Sequence, residues 1–181
     1  GALVALAKAN VKAGPARRSQ VFVALTLEES GLLGSEFYGQ NPLYPLAKTV
    51  GGVNMDALAP IGRARNYAMT GGDKSDLSGI FRAVLKQEGL YESPEDHSER
   101  GHYYRSDHFS LSKRGVPMFD IARGQDLFVG GAKAGAAATE DYVEHRYHQP
   151  SDEYSDAWDW SGITQDVKVF YKLGRTLADG T

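Results

Sequence analysis

Apolar residues recur along this chain at two spacings, which predict two kinds of secondary structure. Between Leu77 and Gln87 they fall at i, i+3, i+4, i+7 and i+8, the spacing that lines one face of a helix. Between Val21 and Leu27 almost every residue is apolar, and many are β-branched or aromatic, which indicates a buried strand. Segments of these two kinds alternate along the chain, so we expect an α/β fold.

The same reasoning assigns the other segments. Helices are predicted at residues 1–12, 31–40, 106–114 and 163–177, and strands at residues 50–56, 66–70 and 117–122. Residues 124–139 are rich in glycine and alanine and are predicted to form a loop. Such a loop fits a movable rim over a substrate pocket and a plain connection equally well.

Composition excludes some classes of function but does not identify one. The 181 residues are 41% hydrophobic and 24% charged, enough for one domain with a substantial core. A net charge of -3 and a pI near 6.0 argue against nucleic acid as a partner. The absence of Cys excludes disulfides and a thiolate zinc site. No apolar stretch approaches the length of a membrane span.

The strand predicted at 21–27 runs directly into an acid pair, Glu28 and Glu29. Ligands of open α/β sheets gather at the carboxyl ends of strands, where two adjacent acids need compensation. A metal ion supplies it if one carboxylate binds the ion and its neighbour takes a proton from metal-bound water. Because an acid pair also suits the first turn of a helix, the pair alone leaves both interpretations open.

Residues with ligand chemistry recur after other predicted elements. Asp56 ends the strand predicted at 50–56, and His148 lies beside Tyr147 in a polar segment. Singly, an Asp at a strand end is typical of a turn, and a His before Gln-Pro is typical of a loop. Together with Glu29, they form a carboxylate and imidazole set that suits zinc or a related divalent ion.

The other histidines are left out of the predicted metal site. His97 and His102 lie in an acidic loop, and His145 precedes His148 in a segment that is predicted to be a loop.

Four motifs, in this order and spacing, resemble the M28 family of zinc aminopeptidases over nearly the whole chain. They are Glu28-Glu29-Ser30-Gly31-Leu32-Leu33-Gly34-Ser35, Asn54-Met55-Asp56, Tyr104-Arg105-Ser106-Asp107-His108-Phe109 with Gly115-Val116-Pro117, and Tyr147-His148-Gln149-Pro150-Ser151-Asp152. The resemblance implies a three-layer α/β/α sandwich around a mixed sheet, with two zinc ions bridged by an aspartate and a water or hydroxide. It also implies a secreted or periplasmic enzyme that hydrolyses the N-terminal peptide bond of peptides with a free N-terminus.

By this resemblance, five residues take specific roles. Glu28 is the general base, Glu29 a ligand of one zinc, Asp56 a ligand of the other and His148 a further ligand. Tyr147 donates a hydrogen bond to the developing oxyanion. The chemistry suits these roles, because a base must remain uncoordinated beside the metal and a phenol can stabilise negative charge while staying neutral.

Two further residues are expected to orient the substrate or the metal ligands, namely Arg105 and Asp107. Alternatively, Arg105 pairs simply with Asp107, and His108 caps a helix or packs.

The chain departs from the family pattern at its beginning. M28 enzymes take a histidine ligand and the bridging aspartate from a segment upstream of the first helix, and residues 1–10 contain neither Asp nor His. We therefore expect residues 1–181 to be a single M28-like catalytic domain that lacks its N-terminal portion. Such a chain alone should bind zinc weakly and have little or no peptidase activity, since a two-metal site without its bridge loses the shared water. Tight calorimetric binding of two zinc ions would contradict this expectation.

Other functions remain open on the same fold. They are a dipeptidase, a carboxypeptidase, a glutaminyl cyclase and a catalytically inactive binding domain, as in receptor ectodomains that resemble this family. Retention of a base, an oxyanion donor and three ligands argues against the inactive domain. The sequence offers no basis for assigning an oligomeric state or a side-chain preference.

Overall fold

The computed structural model describes residues 1–95 and 98–180. In chain order its main elements are α1 (Ala2–Ala13), α2 (Leu33–Gln40), β1 (Gly52–Asn54), β2 (Asn66–Met69), α3 (Leu77–Gln87), β3 (Tyr91–Glu92), α4 (His108–Ser112), β4 (Met118–Arg123), α5 (Gly131–His145) and α6 (Trp160–Asp179). Short 3-10 turns lie at Leu46–Lys48, Gly72–Lys74, Ser98–Arg100 and His102–Tyr104.

The described strands form one mixed sheet in the order β1-β4-β2-β3. β1 runs parallel to β4, β4 antiparallel to β2, and β2 parallel to β3. In this register Asn54 at the end of β1 lies opposite Asp120 of β4. The polar end of β1 therefore lies beside a polar residue within the parallel strand β4.

The two faces of the sheet carry different residues because strand side chains alternate. Phe119 and Ile121 of β4 are buried in the main core, which also includes Phe81 of α3 and Leu173 of α6. Asp120, between them, faces the opposite side, where α4 packs. Helices thus cover both faces, and the fold is the predicted three-layer α/β/α sandwich with a mixed sheet.

The strand prediction at 21–27 is wrong. Within the described chain these residues belong to no strand ladder, and Val21 and Leu27 are 46% and 55% exposed. A strand needs the N–H and C=O groups of a neighbouring strand, and the described strands pair among themselves. An apolar pattern indicates that a segment prefers to be buried, but it does not show that a neighbouring strand is available to pair with it.

The loop prediction at 124–139 is wrong from Gly131 onward, because α5 begins there and continues to His145, whereas residues 124–130 form a loop as predicted. Its alanines are the strongest helix formers, and they outweigh the glycines. Gly135 is required for close packing, since a Cβ there would lie 2.0 Å from the backbone oxygen of Gln125. Glycine here permits contact between backbones and does not signal a flexible loop.

Most other predictions agree to within a few residues at the element ends. The helix predicted at 106–114 is shorter than expected, and the one predicted at 163–177 is longer. The carboxylate of Asp159 accepts a hydrogen bond from the Ser161 amide and so caps the start of α6. In the part of the chain that the structure describes, no helix is long and apolar enough to cross a membrane.

Candidate functional site

The acid pair lies on a tight turn between residues 21–27 and α2. The Gly34 amide donates to the Thr26 carbonyl at 3.0 Å, which closes the turn. Leu27 and Leu32, on either side of the pair, adopt φ values of 58° and 61°. Left-handed backbone is unfavourable for leucine, and such strain is concentrated at functional sites.

His148 meets Glu29 from a distant part of the sequence. Its Nε2 lies 2.9 Å from Oε1 of Glu29, and its ring stacks on Tyr147 at 3.9 Å. His148 also has a positive φ of 59°. The two side chains are 54% and 72% exposed, so the pair contributes little to stability. The geometry nevertheless joins an imidazole and a carboxylate, two donor types that zinc uses.

Asp56 is oriented by a hydrogen-bond chain at the end of β1. Ser106 Oγ donates to Asp56 Oδ2 at 2.7 Å, and the Asn54 amide donates to Ser106 Oγ at 2.8 Å. The same amide nitrogen lies 3.1 Å from Asp120 Oδ1 on β4. The Asp56 carboxylate is thereby tied to both parallel strands and to the segment before α4.

The charges that act on Glu28 indicate that it lies in the same region. Partial burial is the largest influence that raises the pKa of Glu28, followed by the negative charges of Asp56, Glu29 and Asp107. His148 opposes this rise. Carboxylates from three separate motifs therefore act on one another across a shared space.

Tyr147 belongs to the same space. Burial raises the pKa of its phenol, and the charges of Glu29, Asp56 and Glu28 raise it further, while Arg105 lowers it. The residue is 42% exposed. A neutral phenol and a guanidinium thus lie near the cluster of carboxylates.

His108 is buried near this region, and its neighbour Asp107 is half-buried. Oδ1 of Asp107 and both ring nitrogens of His108 have no hydrogen-bond partner of normal geometry among the described residues. His108 is 1% exposed, and its Nδ1 lies 3.5 Å from Asp120 Oδ2. Burial lowers the pKa of His108, whereas Asp120 and the Tyr103 backbone raise it. The His108 ring makes a T-shaped contact with the Tyr103 ring, which agrees with the packing role considered from the sequence.

The histidines that were left out have other surroundings or are not described. His145 ends α5, where its Nδ1 lies 3.4 Å from Asp141 Oδ1. His102 begins a short 3-10 turn. His97 lies outside the described residues.

The residues missed by the sequence analysis are Asn54, Ser106 and Asp120. Two of them occur in the quoted motifs, but their contacts depend on strand register, which a single sequence does not specify. An available signal was the acidic Asp120 inside an otherwise apolar predicted strand.

The donors fit zinc in type but not in number. Glu29 and His148 form a two-donor pair, and Asp56 is held separately by Ser106. Across residues 1–95 and 98–180, no group of three or more His, Cys, Asp or Glu has the arrangement of a metal site. Since protein zinc sites use at least three protein ligands, these side chains need a further donor.

A cavity of about 160 Å³ lies next to Asp56. Ala57, Leu58 and Ala59, which follow Asp56 directly, line one side of it, and Arg123 and Asp166 line another.

The comparison with protein families agrees with the motif resemblance. The profile of Peptidase family M28 matches residues 1–173. No curated protein matches the chain. A glutaminyl cyclase from Porphyromonas gingivalis is a structural neighbour with 16% sequence identity and a TM-score of 0.41. The match covers 86% of this chain and 50% of the cyclase chain, so the chain spans half the length of that relative. Because the family profile covers nearly all of its residues, the chain belongs to peptidase family M28.

Proposed function

We propose that this chain is part of a zinc-dependent aminopeptidase that removes N-terminal residues from peptides. Membership of the family indicates a hydrolase or a related enzyme, since M28 includes peptidases and glutaminyl cyclases. The observation that carries the finer proposal is the approach of His148 to Glu29 at 2.9 Å, beside a Glu28 whose pKa is raised.

In this proposal Glu29 and His148 hold one zinc ion and Asp56 contributes to a second. Each ion needs further donors, which we expect from the histidine and the bridging aspartate of the family pattern. When bound, zinc supplies Lewis-acid chemistry, which polarises the scissile carbonyl and makes water more acidic. Ser106 keeps the Asp56 carboxylate oriented toward the site by donating to its Oδ2.

Glu28 is the proton carrier. Its carboxylate accepts a proton from the attacking water and delivers it to the nitrogen of the leaving amine as the peptide C–N bond breaks. Partial burial first, and then the negative charges of Asp56, Glu29 and Asp107, raise the pKa of Glu28 and so increase its basicity. A more basic carboxylate removes a proton from water more readily near neutral pH.

Tyr147 and the acidic cluster serve the substrate. The Tyr147 hydroxyl donates a hydrogen bond to the carbonyl oxygen as negative charge develops on it. Carboxylate charge that bound zinc does not neutralise, such as that of Asp107, attracts a protonated α-amine, which supports attack at the free N-terminus. Arg105 and Asp107 orient the substrate at the edge of this cluster.

The experiment is a substrate panel applied to the complete natural protein. Aminoacyl nitroanilides, the same compounds blocked at the amine and peptides that begin with glutamine are incubated with and without a zinc chelator. The proposal predicts release of nitroaniline from the free-amine compounds only, loss of this activity with the chelator and recovery with added zinc. Cyclisation of the glutamine peptides without hydrolysis would instead indicate a glutaminyl cyclase, and inactivity toward every substrate would favour a binding domain.

The family resemblance also leads us to propose a secreted or periplasmic location. Fractionation of the producing cells tests this, and recovery of the complete protein only with the cytosol would contradict it.

A further inference from the structure

A buried arginine holds the segment that follows Asp56. Arg123, the last residue of β4, has a side chain that is only 7% exposed. Its NH2 group donates to the Ala59 carbonyl at 2.7 Å and its NH1 group to the Ile61 carbonyl at 2.7 Å. Both carbonyls belong to the stretch that leaves β1 beyond Asp56. A planar guanidinium can bind two such oxygens at once, which a lysine ammonium cannot do in the same geometry.

The charge of Arg123 is compensated from the other side. Asp166 of α6, whose side chain is 6% exposed, places Oδ2 at 3.6 Å from the NH2 group. The Tyr67 hydroxyl on β2 donates to Asp166 Oδ1 at 2.7 Å. Removal of one member would leave a buried charge without its partner, which is strongly destabilising. The arrangement therefore links β2, β4 and α6 to the segment after Asp56.

Helix α6 is shaped to admit this guanidinium. A Cβ at Gly162 would lie 1.4 Å from Arg123 NH1 and 2.0 Å from the Ile61 oxygen. Three residues later, the Gln165 side chain donates to the Ala64 carbonyl and accepts from the Ala64 amide. The helix thus contacts both the arginine and Ala64, which follows the segment held by the arginine.

We infer that Arg123 is a positioning residue for the candidate site, because it fixes residues 57–62 and through them Asp56. This inference rests on the proposed function only in so far as Asp56 is taken as a metal ligand. Opposite Asp56, Ser106 orients the carboxylate, so the acid is held from both its side chain and its following backbone. Loss of the Arg123 contacts would free the backbone after Asp56 and leave the hydrogen bond from Ser106 to the Asp56 carboxylate intact.

The first test measures backbone order in this chain by nuclear magnetic resonance. Arg123→Met removes both hydrogen bonds, and Arg123→Lys keeps the charge while losing the paired contact. Arg65→Met is the matched control, since Arg65 also pairs with an aspartate and donates to two carbonyls, but at Leu127 and Phe128. We expect order parameters at residues 57–62 to fall from about 0.85 to below about 0.6 in both Arg123 variants. They should stay unchanged in Arg65→Met.

The second test measures zinc affinity in the complete natural protein by competition with a chromogenic chelator. Arg123→Lys, which retains the buried charge and so the fold, should weaken binding by about tenfold, whereas Arg65→Met should not change it. Unchanged order at residues 57–62 in both Arg123 variants would overturn the inference. Unchanged zinc affinity in Arg123→Lys, with the wild-type protein binding zinc, would overturn the link to Asp56. Absence of zinc binding in the wild-type protein would count against the proposed function, and the order parameters would then decide this inference alone.

Discussion

Glu28 and Glu29 are neighbours in sequence with different surroundings. Glu29 contacts the imidazole of His148, whereas Glu28 is influenced mainly by burial and by the carboxylates around it. This difference fits the proposed roles of Glu29 as a metal ligand and Glu28 as a base. The motif resemblance predicted both roles, and the geometry supports the division without testing it.

The first prediction concerns Glu28→Gln in the complete natural protein. Glutamine keeps the size of the side chain but cannot accept a proton, so kcat should fall by about 10²- to 10⁴-fold. Zinc affinity should stay within about twofold, because Glu28 is assigned no metal bond. Rates are measured with an aminoacyl nitroanilide and zinc with a chromogenic chelator.

Glu140→Gln is the matched control, since Glu140 is exposed on α5. Its rate should equal that of the wild-type protein. An unchanged rate in Glu28→Gln, or an equal loss in Glu140→Gln, would remove the case for Glu28 as the base.

Single residues could be proposed for the site where a motif contained them, whereas contacts that depend on strand register could not be predicted. Glu29 and His148 could be selected from ligand chemistry together with the family resemblance. The hydrogen bonds that join Asn54, Ser106 and Asp56 could not be predicted, because they depend on which residues of β1 and β4 lie side by side.

At the scale of elements, one ion-pair group ties α2 to α4. Glu36 of α2 accepts from Arg114 and lies 2.7 Å from the Lys113 ammonium, just after α4. Hydrogen bonds from Arg114 first, and then from Lys113, lower the pKa of Glu36 below its ordinary value of 4.5. Because α2 begins right after the acid pair, this contact also anchors the turn that carries Glu28 and Glu29.

The second prediction follows from the sign of that shift. A lowered pKa in the folded state adds stability above the ordinary pKa and loses it as the pH falls. Glu36→Gln should therefore be less stable than the wild-type chain at pH 7, and the gap should narrow below pH 4.5. Urea unfolding at several pH values measures the difference in unfolding free energy between the two proteins. A gap that widens toward acid pH would contradict the assignment.

The third prediction compares two glycines in helices. Alanine normally stabilises a helix relative to glycine by about 0.5–1 kcal/mol. Gly79→Ala on α3 should show this gain, since nothing lies within 4 Å of an added Cβ. Gly162→Ala should instead destabilise the chain by about 1–3 kcal/mol, because the methyl group would overlap the Arg123 guanidinium.

Denaturant unfolding of both variants gives the two free energies. A stabilised Gly162→Ala would show that the guanidinium does not occupy the space beside α6.

Elements were predictable from periodicity where local and long-range preferences agree. The helix predicted from Leu77 to Gln87 has those same ends in the structure, because its apolar stripe is also its buried face. The segment from Val21 to Leu27 failed because no described strand pairs with it. The segment that became α5 failed because its glycines were taken as loop formers, whereas Gly135 serves close packing.

At the scale of the whole molecule, the alternation of elements and the motifs predicted the sandwich correctly. What they could not supply is the set of donors that completes a metal site, since the described residues hold a pair and a separate carboxylate. The account therefore depends on Glu29 and His148 acting on the same ion.

Zinc titration of the complete natural protein, with Glu29→Gln, His148→Ala and the double variant, tests this dependence most directly. If both residues bind one ion, each single variant weakens that binding event, and the double variant is weaker by less than the sum of the two free-energy losses. Wild-type affinity in either single variant would contradict the account.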